Sequence, residues 1–190
     1  MKLMEEKILN EGKVLPGGIL KVGSFLNQQI DTAFLKEMAE EIKRLYQDSE
    51  VNKILTVESS GIAIAAACGM EMNVPMVFAK KHVTSNVDGE VYKTKVHSFT
   101  HNNYYDMVVS RDYLGPQDRV LIVDDFLANG NALRGLVEIV EQGEATLVGA
   151  AIAIEKSFQD GGDRLRSQGV RIESLAKIES MSDEGIIFKD

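Results

Sequence analysis

The chain predicts an α/β fold, an open and mostly parallel β-sheet flanked by helices, and three observations carry that prediction. After Lys53 come four short, nearly continuous apolar runs: ILTV from Ile54, PMVFA from Pro75, VLIV from Val120 and GAAIAI from Gly149. Runs of this kind are how strands buried on both faces read. Stretches of helical composition, Gly61 to Met72 and Asn131 to Gln142, lie between them, so right-handed β-α-β crossovers are the economical connections. Finally, the Val120 run leads into two acids, a small-residue loop and a helix, the strand-to-helix turn at which open α/β sheets bind ligands.

The elements follow in order. Lys2 to Glu11 sets Leu3, Met4, Ile8 and Leu9 on roughly one helical face, with Gly12 as a natural stop. Pro16-Gly17-Gly18 reads as a loop. Asp31 is a candidate N-cap for a helix reaching about Tyr46, with Phe34, Leu35, Met38, Ile42 and Leu45 as its apolar stripe. From Val91 to Arg111 the alternation of VYKTKVHSF and the β-rich YYDMVVS predict a hairpin, a β flap beside the main sheet. The preceding segment, 83–90, has the Thr, Ser, Asn and Gly content of a closing loop. RIESLAKIES, from Arg171, reads as a last strand packed with the N-terminal elements.

Composition narrows the function. At 190 residues, with 44% hydrophobic and 26% charged residues, one globular domain spanning 1–190 is expected. A formal net charge of −8 argues against nucleic acid or an anionic membrane as partner, since both need a basic surface. The longest apolar stretch, Gly61 to Cys68, is far shorter than the roughly 20 residues of a membrane span. The opening MKLMEEKILNEG is acidic and amphipathic rather than signal-like, so a cytoplasmic location is expected. One cysteine, Cys68, excludes an intrachain disulfide, and His82, His97 and His101 lack zinc-site spacing.

The chemistry concentrates in VLIVDDFLANGNA, from Val120 to Ala132. Asp124 and Asp125 at the strand end are suited to accept hydrogen bonds from vicinal ribose hydroxyls. Ala128, Asn129, Gly130, Asn131 and Ala132 then form a loop whose backbone N–H groups, opening a helix, suit a phosphate. A solvated acidic turn is the plain alternative. This segment resembles the PRPP-binding signature of type I phosphoribosyltransferases (PRPP, 5-phosphoribosyl-1-pyrophosphate). It departs from that signature at Asn129 and Ala132, where the family has threonines, and at Ala128, where some oxopurine members have an acid. VESSGIA, with Glu58, Ser59, Ser60 and Gly61, resembles the family's pyrophosphate loop, and Lys80-Lys81 after the next strand supplies cations for the leaving group. Alternation along the strand favours Lys81 over Lys80.

Over nearly its whole length the chain is similar to the xanthine phosphoribosyltransferases of Gram-positive bacteria, through ILKVGSFLNQQID, ESSGIA, DDFLANGNA and IEKSF. The resemblance implies transfer of phosphoribosyl from PRPP to N9 of xanthine, Mg²⁺ held mainly through PRPP, a homodimer, and a hood over the base built from about 1–30 and 157–190. It places Leu20 and Asn27 in that hood. Lys156 can only donate hydrogen bonds, which favours a 6-oxopurine over adenine. Phe126 and Phe158 are candidates to sandwich the base or, equally, to belong to the core. An amide such as Asn27 suits xanthine or guanine alike, so residue logic leaves those two open and the resemblance selects xanthine. A PRPP-sensing regulator would need a nucleic-acid-binding face, and a dinucleotide-binding domain would need G-x-G-x-x-G; the chain has neither.

Overall fold

The computed structural model describes residues 1–81, 89–98, 103–182 and 185–189. A six-stranded sheet forms the centre, in the order β10-β9-β8-β7-β3-β4. Its strands are β3 (Lys53–Val57), β4 (Met76–Ala79), β7 (Arg119–Leu127), β8 (Thr146–Lys156), β9 (Ile172–Ser182) and β10 (Gly185–Phe188). All neighbours pair in parallel except β10, which runs antiparallel on β9.

Period-two alternation divides the strand residues between two cores. Ile54, Leu121, Val123, Ala151, Ala153 and Leu175 meet α1 (Lys2–Glu11), α2 (Thr32–Leu45) and α3 (Gly61–Met72) on one side. Leu55, Val120, Ile122, Ala150 and Ile152 meet α4 (Asn131–Gln142), Leu165 of α5 (Gly161–Ser167) and the hairpin of β5 (Val91–Ser98) with β6 (Asn103–Ser110) on the other. Both faces are therefore covered, which is why the strand runs are apolar without a break.

The predicted N-cap is present: Asp31 accepts from the Phe34 N–H at 3.1 Å. The last long strand also packs with the N-terminal segment, where the Met1 amino group donates to the Leu175 carbonyl. Four features exceed the sequence reading. The Pro16-Gly17-Gly18 loop closes a small hairpin of β1 (Lys13–Leu15) and β2 (Ile19–Lys21), with Gly17 and Gly18 both at positive φ. Gly23–Asn27 forms one wide π-helical turn, and α5 and β10 are additional elements. The segment read as a closing loop falls mostly on 82–88, outside the described residues, as do residues 99–102.

Strand β7 is longer than its apolar run suggests. Its pairing with β8 continues through Asp124↔Ile152 to Leu127↔Glu155, whereas its pairing with β3 stops at Leu55↔Ile122. The two acids thus lie inside the strand, not beyond its end, at the point where one of its edges has lost its neighbour. That loss opens the space occupied by the site.

Candidate active site

The two acids sit side by side, each within reach of the other's carboxyl group. Asp124, 5% exposed, lies beside Gly61 and close enough to Tyr105 and Lys81 for their charges to interact. The side chain of Asn27 lies near enough to Asp125 to favour its charged form, a link between the N-terminal segment and the strand that no sequence signal indicated. Burial pushes both carboxyls above their ordinary range, and for Asp124 the neighbouring Asp125 charge adds to the rise. The Asp125 N–H donates to Asp124 Oδ1 at 3.0 Å.

The loop 128–132 follows directly. Gly130 has φ +77° and precedes α4; beyond the Asn131 N–H, the next N–H groups of the helix start face no intrahelical acceptor and suit an anion. Asn129 Oδ1 accepts from the Asn131 N–H at 3.0 Å, and Asn131 Nδ2 donates to the His97 carbonyl of β5 at 3.1 Å. Behind the loop sits the start of α5. A Cβ on Gly161 would lie 2.4 Å from the Ala128 carbonyl oxygen and 2.5 Å from the Gly130 nitrogen. Neither Gly161 nor Arg164, which donates to the Asn129 carbonyl at 2.6 Å, was identified from sequence; the Gly161-Gly162 pair was the available signal.

Across the opening, Glu58 Oε1 accepts from the Lys81 N–H at 2.7 Å, and the Glu58 N–H donates to the Ala79 carbonyl at 3.0 Å. The turn Glu58-Ser59-Ser60-Gly61, with a cis Glu58–Ser59 peptide, and the end of β4 are thereby tied together. Ser60 precedes α3 but makes no side-chain cap hydrogen bond. Lys81 Nζ stands 5.6 Å from the Tyr105 ring centre, on the Asp124 side. Lys80 instead bridges backbone to backbone with Val108 and lines a cleft of about 540 Å³ with Lys53, Met76 and Phe78. The two lysines thus have different surroundings.

At the end of β8, Lys156 Nζ donates to the Gly18 carbonyl at 2.9 Å and lies 5.8 Å from the Phe126 ring centre. Burial holds its pKa below the ordinary lysine value. Phe126 is half-buried beside it, Leu20 is buried, and Phe158 is 44% exposed. Lys156 and Phe126 are thus brought together, while Phe158 points outward.

Next to Lys156, Glu155 is 2% exposed and receives both terminal nitrogens of Arg166 at 2.7 Å and the Ser174 hydroxyl at 2.5 Å. Burial alone would raise its pKa, but Arg166 and Ser174 outweigh it and hold the carboxyl below its usual range. A depressed carboxylate contributes stability that is present above the unfolded pKa and lost as pH falls through the folded one. Arg166→Met should therefore cost roughly 2–3 kcal/mol at neutral pH, below the full buried-pair range because Arg166 is partly exposed. Thermal melts across pH 3–7 test this: the deficit should narrow below about pH 4, and an unchanged Tm at pH 7 would refute it.

Paired acids near the end of a parallel strand's pairing, a glycine-opened helix start beyond them and a cation across the gap define a class: α/β proteins that handle phosphorylated ligands toward the carboxyl ends of parallel strands. The chain belongs to the phosphoribosyltransferase family of enzymes, whose signature, described as "Phosphoribosyl transferase domain", matches residues 22–172. It is 50% identical over 190 residues, all of both chains, to a xanthine phosphoribosyltransferase of Finegoldia magna. One of the same name from Moorella thermoacetica is 51% identical over 188 residues, 99% of this chain and 96% of the relative. Among solved structures, an adenine phosphoribosyl transferase of Trypanosoma brucei in complex with AMP, pyrophosphate and ribose-5-phosphate aligns with a TM-score of 0.79. That alignment has 20% identity and covers 96% of this chain and 82% of the other, a likeness of fold.

Proposed function

We propose that the protein transfers the 5-phosphoribosyl group from PRPP to N9 of xanthine, releasing pyrophosphate and forming xanthosine 5′-monophosphate. The observation that carries this reading is the full-length identity, about half of all positions, to relatives named xanthine phosphoribosyltransferase. The site supports it. Asp124 and Asp125 hold the ribose hydroxyls, residues 128–132 the 5-phosphate, and Glu58 to Gly61 with Lys81 the pyrophosphate. The C1–O bond to pyrophosphate breaks as the C1–N9 bond forms, and the protein's part is to position both partners and stabilise separating charge.

Lys156 has three donor protons; one serves Gly18 and the others are available to a 6-oxo group, which adenine lacks. Leu20, Asn27 and Phe126 complete the base site, within a single domain whose segments 1–30 and 157–190 contribute the hood. Ala128 cannot take up the purine proton, so xanthine, an acidic purine, binds partly as its anion. Mg²⁺, carried mainly on the oxygens of PRPP, would supply charge to neutralise the departing pyrophosphate.

An ultraviolet assay with PRPP, Mg²⁺ and each of xanthine, guanine, hypoxanthine and adenine tests the assignment. Xanthine should be preferred, with kcat/KM rising across its own ionisation. A guanine or hypoxanthine preference overturns the base assignment, and a flat pH profile overturns the anion.

The enzyme is further read as a homodimer. Helix α3, GIAIAAACGMEM, is apolar apart from Glu71, and such a helix is normally buried nearly all round. Met70 on it is nonetheless 78% exposed, and Phe78 of the edge strand β4 is 38% exposed. Light scattering should return twice the 21.0 kDa chain mass; a monomeric mass at assay concentration refutes it. No helix among the described residues is long and apolar enough to cross a membrane.

A further inference from the structure

We infer that Arg164, outside every motif above, is a positioning residue that sets the affinity of the loop 128–132 for the 5-phosphate; the inference rests on the reading of that loop given under Proposed function. One peptide group, Asn129–Gly130, is held in place. Arg164 Nη2 donates to the Asn129 carbonyl at 2.6 Å. In a trans peptide the C=O and the following N–H point in opposite directions, and the described chain has its one cis bond elsewhere, at Glu58–Ser59. Drawing the Asn129 carbonyl outward toward α5 therefore turns the Gly130 N–H inward, to the side where the loop opens.

The same peptide is held from a second direction. Gly161 packs so closely that a Cβ there would sit 2.4 Å from the Asn129 carbonyl carbon and 2.5 Å from the Gly130 nitrogen. Arg164 is itself steadied by Asp160, one turn earlier, at 3.4 Å. Gly130, at φ +77°, lacks the side chain that would otherwise restrict rotation of its backbone, so an external tie is needed to choose one orientation. A guanidinium suits this task because it donates in a fixed plane and keeps its charge at any working pH. Its positive charge also backs the peptide dipole that faces the phosphate.

The test compares wild type with Arg164→Met, which keeps a long apolar stem but cannot donate, and Arg164→Lys, which keeps a donor and a charge. Arg164→Met should raise both KM for PRPP and the calorimetric Kd for ribose 5-phosphate about tenfold, the effect of losing one charge-assisted hydrogen bond. kcat should stay within about twofold, KM for the purine should not change, and Tm should hold within about 2 °C. Arg164→Lys should recover most of the loss. A purely structural role would move Tm and both KM values together, and that result, or an unchanged KM for PRPP, overturns the inference. If wild type itself fails to bind ribose 5-phosphate and PRPP, the reading of the loop falls and the inference with it; wild-type binding with an unaffected Arg164→Met sinks the inference alone.

Discussion

Asp124→Asn should yield a protein that is more heat-stable than wild type and nearly inactive. Asp124 is buried beside a second carboxyl, and both have pKa values raised by burial, Asp124 further by its neighbour's charge. A raised folded pKa means stability that is complete below the unfolded value, near 4, and lost as pH rises through the folded one. At neutral pH this acid pair thus weakens the free protein. The asparagine keeps an acceptor for the Asp125 N–H, now 3.0 Å from Asp124 Oδ1, and removes one charge. A gain of about 1 kcal/mol would lift Tm by roughly 2–4 °C at this chain length, and the gain should shrink toward zero near pH 4.

Activity should move the other way. A carboxylate facing developing positive charge at the sugar carbon contributes through electrostatics, and losing such a group costs on the order of 10²–10³ in kcat. The stabilisation that PRPP confers in a thermal melt should fall as well. A variant that melts lower than wild type at pH 7, or that keeps its activity, would show that the pair is not strained for function.

Gly161→Ala is the second large effect. The new methyl group would meet backbone on the loop side: the Ala128 carbonyl oxygen and Asn129 carbonyl carbon at 2.4 Å and the Gly130 nitrogen at 2.5 Å. Backbone cannot rotate away as a side-chain tip does, so either α5 lifts or the loop 128–132 shifts. Overpacking of this kind costs about 1–3 kcal/mol, and displacing a binding loop by about 1 Å costs around 10² in rate. Melting and PRPP saturation curves should show a Tm lowered by several degrees and a kcat/KM for PRPP down by two orders of magnitude. Wild-type PRPP kinetics in this variant would mean that the loop and α5 are not coupled.

Much of the fold was legible because local chemistry announced it. Apolar runs located β3, β4, β7 and β8; the stripe from Phe34 to Leu45 and the Asp31 cap located α2; alternation located the hairpin. Elements decided by partners far along the chain were not legible. The small β1–β2 hairpin read only as a Pro-Gly-Gly loop. Helix α5, seven residues beginning Gly-Gly, has no propensity of its own to declare, and β7 runs on through two acids because β8 remains paired beside it.

The candidate site divides in the same way. By itself the sequence determined which residue types stand at each strand-to-helix turn: the acid pair, the small-residue loop, the Ser-Ser-Gly turn and the lysines. Those are properties of contiguous segments, set by backbone geometry and side-chain chemistry within a few residues. Only the tertiary structure decided that Lys81 faces Asp124 while Lys80 bridges to Val108, that Asn27 reaches Asp125 across nearly a hundred residues of chain, and that Arg164 and Gly161 brace the loop from behind. Each of these depends on where β3 stops pairing with β7 and on how closely one backbone approaches another. Such distances are fixed by packing over the whole sheet, and no local pattern encodes them.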